Sequence, residues 1–506
     1  MSRLYVDRVA LGLTAAVLAS CGGAPPPPPP PPPVHVVATP VVAPALPADP
    51  LGPRPTVATP APFEPPKPVV YAGPNGMTVW LIERHTLPFV AVTVSVPTGS
   101  SSDPKGKGGV ADSAADMMDE GAGTRGAIEL SRAVDTLGAT IGTGAGIDET
   151  SVSLTVLKKN LTPAFAILGD VVSRPRFGAE DWKRVVELRQ NELRERASEP
   201  DETARVVARV AMFGPDHPYG HPVDGTLESS RRISLADAKA FYRAAWRPDR
   251  AVVVAVGDVT RDELSSLLSS AFGGWALPAT PAPAIVAPAP PAGPFPRAVL
   301  VDRPDAPQSV IALVRPGVSA SDPATPALSR VNAALGGSFT SRLNQDLREE
   351  HGWSYGAHSR VSAPRGVGMI TAGASVVTDK TIDALKAMLS DVETYSAKGL
   401  TDEEVEKTRS QARADLVSAY EGAGTVAGRL ATDAMLGLPA DYEATASIRR
   451  DTATKEMLDR LAAQYFDPTH AMVVVVGPRA KLEGPLGAMG FSQLEIRDAN
   501  GELVKR

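Results

Sequence analysis

Two stretches of this 506-residue chain recur at nearly the same interval. Val96-Pro-Thr-Gly-Ser-Ser-Ser-Asp-Pro104 parallels Val314-Arg-Pro-Gly-Val-Ser-Ala-Ser-Asp-Pro323, with the closing prolines 219 residues apart. Pro248-Asp-Arg-Ala-Val-Val-Val-Ala-Val-Gly257 parallels Pro468-Thr-His-Ala-Met-Val-Val-Val-Val-Gly477, with the glycines 220 apart. Each half runs through strands, then helices, then a closing apolar strand. A period of that length is far too long for a solenoid and describes a duplicated α+β domain.

The local patterns fill in the first copy. Tyr71, a Pro74-Asn75-Gly76 turn and Met77–Glu83 read as a hairpin, because Asn-Gly between apolar runs supplies the positive φ that a tight turn needs. Strands are expected at Phe89–Val96, Ala139–Gly144, Glu149–Leu157 and Ala251–Val256. Helices are expected near Glu129–Leu137, Pro163–Ser173, Ala179–Ala197, Glu202–Phe213, Leu235–Ala245 and Arg261–Phe272, with Gly214–Thr226 as a loop. Pro/Ala-rich Pro278–Pro296 separates residues 69–277 from residues 297–493 as two domains.

The N-terminus has a different composition. Residues 1–20 carry Arg3 and Arg8, then a short apolar run from Val9 to Ala19, which reads as a signal peptide too short to span a bilayer comfortably. Leu18-Ala19-Ser20-Cys21 resembles a bacterial lipobox, so Cys21, the only cysteine, is expected to be lipidated. Gly22 follows it, which favours the outer membrane, facing the periplasm. Residues 21–68 are a Pro/Ala tether with an unbroken proline run at Pro25–Pro33, a semi-rigid spacer that cannot build a core. The formal charge of −6 without a basic face argues against nucleic-acid binding.

The chemistry is expected in Gly99–Thr124, where a Gly/Ser/Lys loop enters a helix. Val110, Ala114, Met117 and Met118 form its apolar stripe, and Asp112 and Asp116, four apart, project from one side. The layout resembles the zinc helix of the insulinase (pitrilysin) metallopeptidases, in which H-x-x-E-H supplies two zinc-binding histidines and a general-base glutamate. Here Asp112, Ala115 and Asp116 stand at those three positions. The resemblance covers about Val69–Gly490. It includes His217-Pro-Tyr-Gly220 with Gly225-Thr226, and Gly336-Gly337-Ser338-Phe339-Thr340-Ser341-Arg342-Leu343 running on to Tyr355. It implies tandem insulinase-like domains, each a mostly antiparallel sheet packed with helices, facing each other across a peptide-binding chamber.

The family's third zinc ligand, a glutamate on a later helix, falls on Glu192, which precedes Ser198-Glu199-Pro200. Three carboxylates would suit calcium or magnesium better than zinc, and Ala115 cannot activate a water, a loss of about 10²–10⁴-fold in general-base catalysis. Asp112 and Asp116 are therefore expected to be solvated polar residues lining a cavity, with Glu192 one exposed charge among Glu187, Arg189, Arg194 and Glu195. Asp119 and Glu120 could add ligands to such a helix, but nothing singles them out. His217 and His221 lie four apart, but Pro218, Gly220 and Pro222 forbid the helix that would align them on a metal. His351 and His358 have no partner at a useful spacing.

Arg348-Glu-Glu-His-Gly352-Trp-Ser-Tyr355 resembles the family's R-x6-Y signature. The resemblance implies that Arg348 and Tyr355 hold the substrate backbone, Tyr355 also helping to stabilise an oxyanion. The chain is then expected to need no cofactor itself. It would be the zinc-free partner of a separate catalytic subunit that carries zinc, and the pair would act on peptides. Two alternatives remain at this stage: a non-catalytic envelope protein for peptide binding or assembly, and a peptidase with an atypical carboxylate metal site.

Overall fold

The computed structural model describes residues 63–293, 295, 297–491 and 493–504. The signal peptide, Cys21 and nearly all of the tether lie outside the described residues. The first half contributes strands β1 (Val69–Ala72), β2 (Thr78–Glu83), β3 (Phe89–Val96), a small hairpin of β4 (Gly121–Ala122) and β5 (Arg125–Gly126), β6 (Thr140–Ala145), β7 (Thr150–Leu157) and β8 (Val252–Gly257). Its helices are α1 (Val110–Asp116), α2 (Ala127–Thr136), α3 (Leu161–Ser173), α4 (Ala179–Ser198), α5 (Pro200–Phe213), α6 (Leu227–Arg232), α7 (Leu235–Ala245) and α8 (Arg261–Phe272). The second half has β9 (Ala298–Asp302), β10 (Gln308–Pro316), β11 (Ser354–Val361), β12 (Met369–Val377), β13 (Met472–Gly477) and β14 (Leu494–Arg497). Its helices are α9 (Thr325–Asn332), α10 (Arg342–Asn344), α11 (Thr381–Lys398), α12 (Asp402–Ala419), α13 (Ala423–Met435), α14 (Tyr442–Thr452), α15 (Lys455–Tyr465) and α16 (Arg479–Ala488).

The duplication is visible in the sheets. One runs β6-β7-β3-β8-β2-β1 and the other β11-β12-β10-β13-β9-β14, so five strands correspond in order and only the sixth differs. Most pairings are antiparallel, but β2 with β8 and β9 with β13 are parallel, because the closing strand of each half inserts beside the first, and β14 adds to β9 in parallel as well. Asn75 and Gly76 take φ of 55° and 86°, the left-handed pair that lets β1 turn back onto β2.

The closing strands read as unbroken apolar runs because both of their faces are buried. Val253 and Ala255 of β8 face the core beneath the first half's own helices. Val254 and Val256 join Trp80 and Ile82 against Val426, Leu430 and Ala431 of α13, a helix of the second half. Reciprocally, Val474 and Val476 of β13 pack with Ala204, Val207 and Ala208 of α5, a helix of the first half. Each half thus lays one helix across the other's sheet.

A buried polar hub ties the exchange together. The Asp148 carboxylate is 4% exposed and accepts from the Tyr219 hydroxyl at 2.9 Å and the Arg365 backbone N–H at 2.8 Å. The Arg365 guanidinium donates to the carbonyls of Asp148 and Met435 at 2.9 and 2.8 Å, bridging both halves.

Candidate functional site: a zinc helix closed by an arginine

Helix α1 is held at its N-terminus by the side chain of Asp103, which accepts from the N–H groups of Gly109 at 2.6 Å and Ala111 at 2.8 Å. That carboxylate meets otherwise unpaired helix donors. Gly109 has a φ of 99°, and a Cβ there would lie 2.7 Å from the Asp224 carbonyl, so only glycine fits. Val110, Ala111, Ala114 and Met117 bury one face in the first-half core, and Ala115, at the general-base position, is fully buried.

Asp112 and Asp116 keep part of their side-chain surface in solvent but are not free lining. Both grip Arg189 of α4. Its Nη2 donates to Asp112 Oδ2 at 2.5 Å and its Nη1 to Asp116 Oδ2 at 2.6 Å, and Nη2 also reaches the Asp224 carbonyl at 3.2 Å. Arg189 is 4% exposed, which corrects its reading as an exposed helix charge. The cause lies in α4, where Val185, Arg189 and Leu193, spaced by four, form the buried stripe. The signal was therefore present in the sequence: an arginine in an apolar a-plus-four series, one turn before the ligand position Glu192.

The electrostatics follow from two carboxylates sharing one cation. Burial, then the Asp112 charge, push the Asp116 carboxyl up to about 7 against the pull of Arg189. Burial works against the Arg189 charge, but Asp112 and Asp116 outweigh it and its pKa rises. Glu192 is exposed, and among the described residues it makes no hydrogen bond or ion pair. Its charge adds to the field on Asp116. Burial also raises Asp119, to about 6, while Glu120 pairs with Arg184.

These residues do not fit a zinc ion. The donor atoms are carboxylate oxygens rather than the imidazoles zinc favours, and a guanidinium sits between the two on α1. Among the described residues no three His, Cys, Asp or Glu side chains converge as ligands. The same geometry speaks against calcium or magnesium at Asp112 and Asp116, because Arg189 would have to leave first.

The loop Gly214–Thr226 closes over α1 for structural reasons. His217 accepts from the Tyr219 N–H at 2.9 Å, contacts the Ala289 carbonyl at 2.8 Å and stacks on Phe213. His221 packs on Gly108, and burial lowers its pKa, which favours the neutral ring. His351 stacks on Trp353 with centroids 3.9 Å apart.

Arg348 and Tyr355 do come together. Gln345–Glu350 is a wide π turn, a geometry often found at functional sites, and Gly352 follows it with a φ of 63°. That turn sets the Arg348 guanidinium 5.6 Å from the Tyr355 ring and 4.5 Å from the Phe339 ring. Tyr355 is 89% exposed and Phe339 67%, so the cluster faces outward. Phe339 is an addition to the pair expected from the sequence. Among the described residues no hydrogen bond or ion pair joins this cluster to Asp112, Asp116 or Glu192.

The family model described as Insulinase (Peptidase family M16) matches residues 78–223, and the one described as Peptidase M16 inactive domain matches residues 232–412. This chain belongs to the M16 insulinase family. An uncharacterized zinc protease of Mycobacterium leprae is 26% identical over 418 residues, covering 80% of this chain and 91% of that protein. The mitochondrial-processing peptidase subunit beta of Blastocladiella emersonii is 28% identical over 210 residues, 41% of this chain and 44% of that one. The crystal structure of a peptidase M16 inactive domain from Pseudomonas fluorescens superposes with a TM-score of 0.75 at 24% identity, covering 81% of this chain and 98% of that one, a likeness of fold. The expected tandem α+β insulinase architecture is therefore present, and Asp112, Ala115 and Asp116 stand where the H-x-x-E-H frame would carry His, Glu and His.

Proposed function

We propose that this chain is the zinc-free partner of a separate insulinase-family subunit that carries an intact H-x-x-E-H helix and the zinc. The observation that carries the reading is Arg189, whose guanidinium sits between Asp112 and Asp116 and takes the place of a metal cation. A scaffold closed in this way can still shape a peptide site. Tyr355 stands at the start of β11, an edge strand to which an extended peptide can add by backbone hydrogen bonds, and Arg348 sits on the π turn that leads into it. Arg348 then holds the peptide backbone, and the Tyr355 hydroxyl is a donor for developing negative charge. A relative named as one subunit of a processing peptidase supports the division of labour. Lipidation at Cys21 would tether the pair to the outer membrane, on the periplasmic side, by the spacer at residues 21–68.

The test is to purify the tagged, membrane-extracted chain and identify what comes with it. The expected companion is an H-x-x-E-H chain, and the complex should cleave unfolded peptides in a chelator-sensitive way, while the isolated chain lacks both zinc and activity. Stoichiometric zinc in the isolated chain would overturn the reading. A chain that purifies alone and binds peptides without cleaving them would favour the binding-only alternative.

A further inference from the structure

Where α5 crosses the second-half sheet, it does not cover β11 and β12 completely. A cavity of about 370 Å³ remains in the seam. Ala204 and Ala208 of α5, Ala312 of β10 and Met369 of β12 give it apolar walls, and four basic side chains line it: Arg205, Arg209, His358 and Arg360. The volume is at the lower end of small-ligand pockets, which run from about 300 to 1,000 Å³.

The charges do not balance. Arg205 pairs with Glu202. Asp201, the carboxylate lining the cavity, accepts from the Ser375 hydroxyl at 2.9 and 3.0 Å. Burial, then Arg205, lower the His358 pKa, so its ring is neutral at pH 7. Among the described residues Arg209 and Arg360 have no carboxylate partner; Arg209 donates only to the Tyr219 carbonyl at 3.3 Å. Two guanidiniums against Asp201 leave a net charge of one positive unit in a site with apolar walls. Arg360 is exposed at the cavity's rim, while Arg209 is half-buried and burial alone depresses its pKa, so a counter-charge brought into the cavity would be favourable.

We infer that this seam cavity binds a monoanionic organic carboxylate with a short apolar body, its carboxylate held by Arg209 and Arg360. Such a group comes either as the C-terminal end of a peptide or as a free small acid. A dianion would overshoot the local charge, and inorganic ions would leave the apolar walls unused. The inference does not depend on the partner-subunit reading, since the cavity belongs to the isolated chain.

The experiment is calorimetric titration of the full chain with four probes: acetyl-Ala-Ala-Val with a free C-terminus, the same peptide as its amide, N-acetylvaline and inorganic phosphate. The free acid should bind at least about tenfold tighter than the amide, the usual loss when a charge-assisted hydrogen bond disappears. Arg209→Gln should weaken the acid by a similar factor, with thermal melts confirming the fold. Among the described residues the Arg360 side chain makes no hydrogen bond, so Arg360→Gln should weaken the acid without touching the melt, which keeps the test meaningful if the Arg209 variant fails to fold. N-acetylvaline binding as tightly as the tripeptide would assign the occupant as a free acid, and a preference for the tripeptide would assign a peptide end. Equal affinity for acid and amide, phosphate binding as tightly as the acid, no binding of any probe, or wild-type binding by both variants would each overturn the inference.

Discussion

Arg189 determines how Asp112 and Asp116 behave, so its removal should be felt well beyond one side chain. Breaking a buried ion pair by deleting one partner costs about 3–5 kcal/mol when both groups are dry. Here Asp112 keeps 22% and Asp116 40% of its side-chain surface, so solvent softens the loss. Arg189→Met, which preserves volume, should destabilise the chain by about 2–3 kcal/mol in urea denaturation, and adding Asp116→Asn should restore part of it. The sign of the pH dependence follows from the raised Asp116 carboxyl. A carboxyl with a folded pKa of about 7 and an unfolded value of 3.8 binds more protons in the native state between them, so its contribution to stability falls as pH rises through that window. Asp103, Asp391 and Asp433, also raised to about 7, give slopes of the same sign, so the informative quantity is the difference. The Tm of Asp116→Asn should fall less steeply than wild type from pH 4 to pH 7, and parallel curves would show that Asp116 keeps an ordinary pKa. Rebuilding zinc binding needs more than the motif. Asp112→His with Ala115→Glu and Asp116→His should still reject zinc while Arg189 fills the site, and adding Arg189→Ala should allow uptake with Glu192 as third ligand. Zinc uptake by the triple variant, measured by metal analysis, would mean that Arg189 yields its place readily. At this scale the sequence showed the degenerate frame and the ligand position. It hid the cation, because among Glu187, Arg194 and Glu195 a buried arginine looks like one more surface charge unless the spacing to Val185 and Leu193 is weighed.

Among the elements, the seam between α1 and α4 has a counterpart in the other half. By chain order α9 and α12 correspond to α1 and α4, and there too an arginine crosses between the helices. Arg330 of α9, 1% exposed, donates to the Val405 carbonyl of α12 at 2.6 Å and to the Arg450 carbonyl at 2.9 Å. The two halves thus fix the same joint with guanidiniums from opposite sides, a placement the repeat in the sequence does not reveal. Most strands and long helices were legible, since period-two and period-3.6 patterns are strong where one face is buried. The six-residue helix α6 was not, because Thr226 caps it through the Ser229 N–H at 3.1 Å and it carries too few apolar residues to show a stripe. The crossing of α5 was hidden for another reason. Its apolar surface runs from Ala204 to Phe213 on nearly all sides, which signals burial without naming the partner. The element that locks this crossing is the hub at Asp148. Arg365→Ala removes the guanidinium that joins Asp148 to Met435 and should cost about 2–4 kcal/mol, because buried carbonyls and a carboxylate lose a charged donor. Asp148 is held chiefly by Tyr219 if that variant melts like wild type.

For the whole molecule, the duplication was readable from two anchor segments, but independence of the copies does not follow from it. Each sheet has two buried faces, and one of the two is closed by a helix from the other copy. Cutting within the Pro/Ala linker gives residues 63–277 and 297–504. The first fragment alone would expose Trp80, Ile82, Val254 and Val256, and the second would expose Val299, Val301, Val474 and Val476, where each large apolar side chain contributes about 1.5–3 kcal/mol when buried. A patch of that kind on a sheet face invites association. Neither fragment should therefore give a monomer with a sharp melt and near-UV circular dichroism. Co-expressed from separate chains, the two should assemble one to one, because α5 and α13 still find their sheets, and the complex should melt cooperatively, below the intact chain, since the linker no longer keeps the ends together. Gel filtration with thermal melts decides the matter. A soluble, cooperatively melting monomer from residues 63–277 would show that α13 is an accessory cover, and that the first half carries its own fold.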